Sequence, residues 1–301
     1  MRRALLAGLA ALLALAPAWS RSPGQAALDR GTAAYKRGAY EEARRSFREA
    51  VDLDPSLIKA WENLGWAHHR LGDDREAIRI WNTVLKLEPD NVGALNAVGE
   101  VETSRGRWEE AADALSRSLA RDGNQPDVRL RLGVIEETLR RPDAAAAQYR
   151  AILARRPDDD KARSRLSDLE EARGRLAEAE SVLRAGRSSP AIAKKLARVL
   201  GKKGDAAFRE GRFTDAREAY REAERWDSSD PLYPANLGWA ERKSGRNAAA
   251  IDAWRRAISR GSKAGGGLWR AIGDAAKDDS RFDLAREAYA KAAALDPGSG
   301  A

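Results

Sequence analysis

The pentapeptide NLGWA occurs at Asn63–Ala67 and again at Asn236–Ala240, 173 residues later. That interval is five repeats of 34 residues with three residues added. Aligned on this echo, the chain shows a column of small residues: Gly31, Gly65, Gly99, Gly133, Ser167, Gly204, Gly238 and Gly273. Twelve residues further on, every repeat carries alanine: Ala43, Ala77, Ala111, Ala145, Ala179, Ala216, Ala250 and Ala285. Four residues after it comes a large side chain: Phe47, Trp81, Leu115, Tyr149, Leu183, Tyr220, Trp254 and Tyr289. A period of this length marks an array of small units, none able to bury its apolar face alone.

The second repeat makes the unit legible. Ser56 is placed to cap a first helix running to about Arg70. Gly72 ends that helix in a conformation that costs glycine little. A second helix follows from about Arg75 to Leu87, stopped by Pro89. The Gly and Ala columns then fall where the two helices touch, and the large residue one turn on fills the space beside them. In the fourth repeat, Arg140 and Arg141 stand where the others have a Gly turn. Strand-forming residues are scarce and helix formers abundant, so the fold is expected to be all-α.

The run AWENLGWAHHRLGDDREAIRIWNTVLKLEP, residues 60–89, resembles the tetratricopeptide repeat family nearly throughout. The resemblance extends over eight repeats, from about Gly24 to Pro297, and is weakest in the fourth and fifth. It implies a right-handed superhelical solenoid of antiparallel helix pairs that binds peptides or proteins, with the first helices lining a concave groove.

The 34-residue period slips by three residues before Gly204 and by one before Gly273. The first slip lies near GRSSPAIAKK, Gly186–Lys195. Its proline and serines read either as a joint or as a lengthening of the next helix. The expected organisation is a leader over 1–20, repeats one to five over 21–193 and repeats six to eight over 194–301. GGGL, Gly265–Leu268, is expected in an inter-repeat loop as the one-residue insertion.

The leader, MRRALLAGLAALLALAPAWSRS, has two arginines, an apolar run and then small residues that fit a cleavage site at Ala16–Ala18 or Ala18–Ser20. Its apolar run, about fifteen residues, is short for a spanning helix, which needs about 20. The expectation is an exported, periplasmic or secreted protein without stable membrane insertion once the leader is removed; an uncleaved inner-membrane anchor is the alternative. With 42 arginines against 12 lysines the chain points to a GC-rich bacterial source. It has no cysteine, which excludes a lipid-modified cysteine and disulfides. The formal charge is +8 with acids and bases interspersed, and there is no basic block of the kind a nucleic-acid binder shows.

In the implied architecture, the residue just after the small column and its neighbours one turn away face the groove. This places Trp66 there with Tyr35, Glu62, His69 and Arg70. It places Trp239 there with Phe208, Arg209, Arg242, Lys243, Arg270 and Lys277. Asn96, Glu100, Glu137, Asp168 and Glu171 make the centre acidic. Trp61, Trp81, Trp108, Trp254 and Trp269 are assigned to the core. Trp66 and Trp239 are read as ligand anchors, and packing of the seam between repeats is the rival role. An anchor should affect binding with little change in stability.

No catalytic arrangement emerges: there is no Cys nucleophile, no G-x-S-x-G and no phosphate-binding loop. His68 and His69 are adjacent, so they point about 100° apart on a helix, and Gly72 interrupts the path to Asp73. No metal or cofactor is therefore expected. The reading is a non-enzymatic envelope scaffold binding a protein or peptide. One alternative is a component of a polysaccharide-export machine; another is an N-terminal module or accessory of an enzyme. The last repeat has no extra polar helix to cap it, which points to self-association or partner docking at that end.

Overall fold

The structure, a computed structural model, describes residues 22–186 and 189–295. The leader and the terminal residues from Asp296 lie outside the described residues, as does part of the GRSSP segment. Among the described residues the protein is all α: sixteen helices arranged as eight helix-turn-helix pairs. The first four pairs are α1 (Pro23–Lys36) with α2 (Tyr40–Leu53), α3 (Ile58–Arg70) with α4 (Asp74–Leu87), α5 (Val92–Ser104) with α6 (Trp108–Arg121), and α7 (Pro126–Thr138) with α8 (Pro142–Arg155). Then come α9 (Asp160–Ala172) with α10 (Leu176–Arg184), α11 (Pro190–Arg209) with α12 (Phe213–Trp226), α13 (Leu232–Lys243) with α14 (Asn247–Ser259), and α15 (Gly265–Asp278) with α16 (Phe282–Leu295). The chain divides into two compact bodies, one ending at Arg141 and the other beginning at Pro142.

The three columns do what their spacing implies. All eight column alanines are buried. A methyl group placed on Gly31 would strike the Phe47 ring, on Gly65 the Trp81 indole, on Gly99 Leu115, on Gly204 Tyr220, on Gly238 Trp254 and on Gly273 Tyr289. The missing Cβ lets the first helix lie directly on the large residue of the second. At Gly65 and Gly238 the approach lets an indole reach backbone: Trp81 Nε1 donates to the Glu62 carbonyl at 3.1 Å, and Trp254 Nε1 to the Ala235 carbonyl at 3.2 Å.

The turns between paired helices repeat as well. Gly72 has φ +84°, and beside it the Asp73 N–H donates back to the His68 carbonyl at 3.0 Å. Arg140 takes the same left-handed conformation at φ 60°, as does Ser280 at φ 59°. The fourth repeat thus keeps the turn without the glycine, at a steric cost glycine would avoid.

Three local expectations are corrected, and one reading left open is decided. The N-cap of α3 is Leu57; Ser56 instead donates its hydroxyl to Asp54 at 2.6 Å. GGGL is not a loop: Gly265 opens α15, and the three glycines form its first turn. Trp108, at the start of α6, is 36% exposed and not core. The three-residue slip is taken up as helix, because α11 runs for 20 residues while α10 before it has nine. The apolar core continues across that segment through Leu183, Ile192, Leu196, Leu200 and Tyr233.

Among the described residues, the buried acidic side chains share one repeat position, three after the small column. Glu102, Glu136, Glu170 and Glu241 are all under a tenth exposed there, and His68 takes the place in the second repeat. Each is held by a partner. Glu102 accepts from Arg107, Glu136 lies 3.7 Å from Arg141, Glu170 accepts from Arg150 at 2.7 Å and Glu241 from Arg221 at 2.5 Å. A buried carboxylate is tolerated only with such pairing.

Candidate functional site

Within the first body, α1, α2 and α3 enclose a cavity of about 410 Å³ lined by Thr32, Tyr35, Lys36, Phe47, Asn63 and Trp66. Within the second body, α11, α12 and α13 enclose one of about 470 Å³ lined by Asp205, Phe208, Arg209, Tyr220, Asn236, Trp239 and Lys243. Each cavity opens on the face of the first helices, and its floor is the large column residue of the preceding second helix.

The two tryptophans have the same setting. Trp66 meets Trp81 edge to face with ring centroids 5.1 Å apart. Trp239 meets Trp254 in the same way at 4.9 Å. Trp81 and Trp254 are fully buried, whereas Trp239 is 42% exposed and Trp66 is half-buried. One edge of each outer indole is therefore fixed in the structure and the rest forms a pocket wall. The opposite walls match too: Tyr35 packs on Tyr40 and Phe208 on Phe213, both edge to face at 5.3 Å.

The polar groups differ between the two. Arg70 donates to the Tyr40 hydroxyl at 2.6 Å and lies over its ring, which holds a cation beside the first pocket. Burial pushes the Tyr35 hydroxyl above the ordinary phenol range, so it stays protonated at neutral pH. In the second pocket Asp205 accepts from the Tyr220 hydroxyl at 2.7 Å and from Asn236 at 3.2 Å. Burial first, and then that hydrogen bond, raise the Tyr220 hydroxyl well above its usual value.

Of the residues read from sequence as groove-facing, the structure brings Tyr35 and Trp66 together in one cavity, and Phe208, Arg209, Trp239 and Lys243 in the other. His69 stands edge-on to Trp66 at 5.7 Å, with its Nδ1 2.7 Å from Asp74. Its neighbour His68 is instead buried and pairs with Asp73. Glu62 turns aside, its carboxylate paired with Lys59 at 2.8 Å. Asn96 donates to Gln125 at 2.7 Å and Glu100 pairs with Arg131 at 3.2 Å, both outside the cavity lining. Arg242 is bound to Asp278 and Asn247, while Arg270 and Lys277 lie exposed on α15 away from the second cavity. The acidic centre is largely neutralised: Asp168 pairs with Lys195 and Arg198, and Glu171 with Arg198 and Lys202.

Sequence reasoning missed Thr32, Lys36, Asn63 and Asn236, and it placed Phe47 and Tyr220 only in the core. The signal was available, because every one of these sits at the NLGWA offset of 173 residues or at a position matched by it. A larger cavity of about 690 Å³ lies on the second helices of the first body, lined by Arg48, Arg79, Lys86 and Arg117 around Trp61. It has no counterpart of the exposed tryptophan pairs. Among the described residues, no helix is long and apolar enough to cross a membrane.

Comparison with known proteins agrees with this architecture. The model of the family described as "TPR repeat" matches residues 31–72. That described as "Tetratricopeptide repeat" matches 62–126, 130–192, 197–231 and 236–300. No curated protein matches the chain. Among solved structures, a tetratricopeptide repeat protein from Parabacteroides merdae is similar over 84% of this chain and 98% of its own, with 16% identity and a TM-score of 0.50. The Naa15/Naa10 structure bound to HypK-THB is similar over 92% of this chain and 42% of its own, with 15% identity and a TM-score of 0.65. The MamA crystal structure is similar over 55% of this chain and 90% of its own, with 20% identity and a TM-score of 0.50. At these identities the likeness is one of fold. With family matches over most of its length, eight helix pairs and the small, alanine and large columns packed as their spacing requires, the chain belongs to the tetratricopeptide repeat family.

Proposed function

We propose that the protein is a non-enzymatic scaffold of the bacterial envelope that holds a protein partner on the face of its first helices. The observation that carries this reading is the pair of outer tryptophans, Trp239 exposed and Trp66 half-buried, each standing over a fully buried indole and forming a pocket wall. A large aromatic surface kept open beside cations is typical of a binding anchor. Location outside the cytoplasm is supported by the leader, with its arginines, short apolar run and small residues. Self-association through α16 is part of the proposal, since Phe282 and Leu295 on that helix are 67% and 61% exposed. Sedimentation velocity at two concentrations checks it, and a monomer at both removes it.

Two measurements test the main reading. Sequencing the mature N-terminus should find it just after Ala18 or Ser20; intact Met1 in a carbonate-resistant membrane pellet would mean an anchor instead. Capture from an envelope fraction should recover a protein whose retention is lost with the Trp66→Ala, Trp239→Ala double variant. Recovery of a sugar polymer and no protein would favour the export-machine reading.

A further inference from the structure

The two pockets are one stretch of sequence used twice. Residues 31–81 and 204–254 align without a gap at the 173-residue offset, and 20 of the 51 positions are identical. The walls correspond: Tyr35 to Phe208, Phe47 to Tyr220, and Trp66 to Trp239. Cations recur beside them, Lys36 matched by Arg209 and Arg70 by Lys243. Other repeats put Glu100, Val134, Asp168 or Asp274 where these two put tryptophan, so the arrangement is confined to two places in the chain.

The unpaired charge lining both pockets is of one sign. Among the described residues, the indole N–H groups of Trp66 and Trp239 and the ammonium groups of Lys36 and Lys243 have no hydrogen-bond or ion-pair partner. All are donors. The one carboxylate present, Asp205, accepts from Tyr220 and Asn236 through a single oxygen, and its charge is outnumbered by Arg209 and Lys243 of the same lining. A ligand that satisfies these pockets must bring apolar bulk for the aromatic walls and acceptors with negative charge for the rim.

We infer that the two pockets are two copies of one recognition site, each taking a large apolar side chain of a protein partner whose adjoining residues are acidic. The inference rests on the protein-binding reading above and adds the chemistry of the bound segment and the number of sites. The hydroxyl that distinguishes Tyr220 from Phe47 does not alter this preference, because it is spent on Asp205.

The probe is the acetylated, amidated peptide Gly-Glu-Phe-Glu-Gly, with Gly-Lys-Phe-Lys-Gly and a cello-oligosaccharide as controls. Titration of the full chain is followed through the indole N–H resonances, assigned with Trp66→Phe and Trp239→Phe. The acidic peptide should shift both indole signals and saturate at two equivalents. The lysine peptide should bind at least about tenfold more weakly, and raising salt to about 0.5 M should weaken the acidic peptide several-fold. Trp66→Ala and Trp239→Ala should each leave one equivalent; the Phe variants, which keep a ring on the buried indole, serve where an Ala variant does not fold. Saturation at one equivalent, equal binding of the lysine peptide, a response to the oligosaccharide alone, or no shift at about 5 mM peptide overturns the inference. If the captured envelope protein still needs both tryptophans while the peptide fails, the scaffold reading stands and only the shared-motif inference falls.

Discussion

Trp239 stands edge to face on Trp254 at 4.9 Å, with 42% of the outer indole open and the inner one fully buried. Trp66 on Trp81 repeats the relationship at 5.1 Å. The sequence reading set ligand anchoring and seam packing against each other, and expected little stability change on truncation. The geometry shows the packing role, and the proposed anchoring would be added to it. Trp66→Ala and Trp239→Ala should each cost about 0.5–1.5 kcal/mol through the lost aromatic contact, beyond the area re-exposed. Thermal melts check this, and Trp→Phe should recover part of the loss.

Gly65 and Gly238 are predicted to tolerate no larger residue. A methyl group there strikes the indole of Trp81 or Trp254 and dislodges its hydrogen bond to the Glu62 or Ala235 carbonyl. Gly65→Ala or Gly238→Ala should destabilise by about 1–3 kcal/mol, as should Ala250→Leu at the next column. An unchanged melting midpoint would mean that the columns are out of phase with the helix contact.

Arg140 and Ser280 hold the left-handed conformation that glycine supplies at other turns. Arg140→Gly should raise stability by about 0.5–1 kcal/mol, because the steric cost of that conformation outweighs the added freedom of the unfolded chain. Denaturant midpoints read the change, and Gly72→Ala should move the other way.

How much of this was legible depends on what each residue's partner is. The columns could be read because Gly, Ala and a large residue recur at fixed spacing and meet within one helix pair. The pockets were half legible. Trp66 and Tyr35 were found from helix phase, but Phe47 and Tyr220 serve two surfaces at once, core and pocket floor, and a one-position rule assigns only one. The buried carboxylates were invisible: Glu102 or Glu241 looks like any solvated helix residue until an arginine from another helix or turn is seen closing on it. The same blindness made the groove centre seem acidic, since Asp168 and Glu171 are neutralised by lysines and an arginine of α11. The length of α11 followed from no local signal, as Pro190 suits a joint and a first helical turn equally well.

Glu241 anchors a buried pairing of this kind, with Arg221 bound at 2.5 Å and the Arg217 guanidinium 3.8 Å away, itself buried. Truncation to Glu241→Ala leaves that arginine uncompensated, and a loss of about 3–5 kcal/mol is expected in urea unfolding. The exposed pair Arg286–Asp283 offers the contrast, with no measurable effect expected.

Acid should weaken the fold. Burial alone would raise Glu180 and Glu224, but hydrogen bonds and charge from Lys203 and Arg184, and from Arg256 and Arg260, hold both below the ordinary glutamate value of 4.5. A carboxylate depressed in the folded state stabilises above its unfolded pKa, and that contribution is lost as pH falls through the folded one. The melting midpoint should therefore drop as pH is lowered below about 4.5. Glu224→Gln should start lower at pH 7 and fall less steeply in acid.

The central claim is that the outer tryptophans are the contact surface, and the affinity of the captured envelope partner for four chains tests it most directly. Wild type is compared with Trp66→Ala, Trp239→Ala and Trp108→Ala, the last removing an exposed tryptophan from a second helix. The account predicts roughly thirtyfold weaker binding for each pocket variant, the equivalent of about 2 kcal/mol, and unchanged binding for Trp108→Ala. Pocket variants that melt early yet bind the partner with wild-type affinity per folded molecule would contradict it.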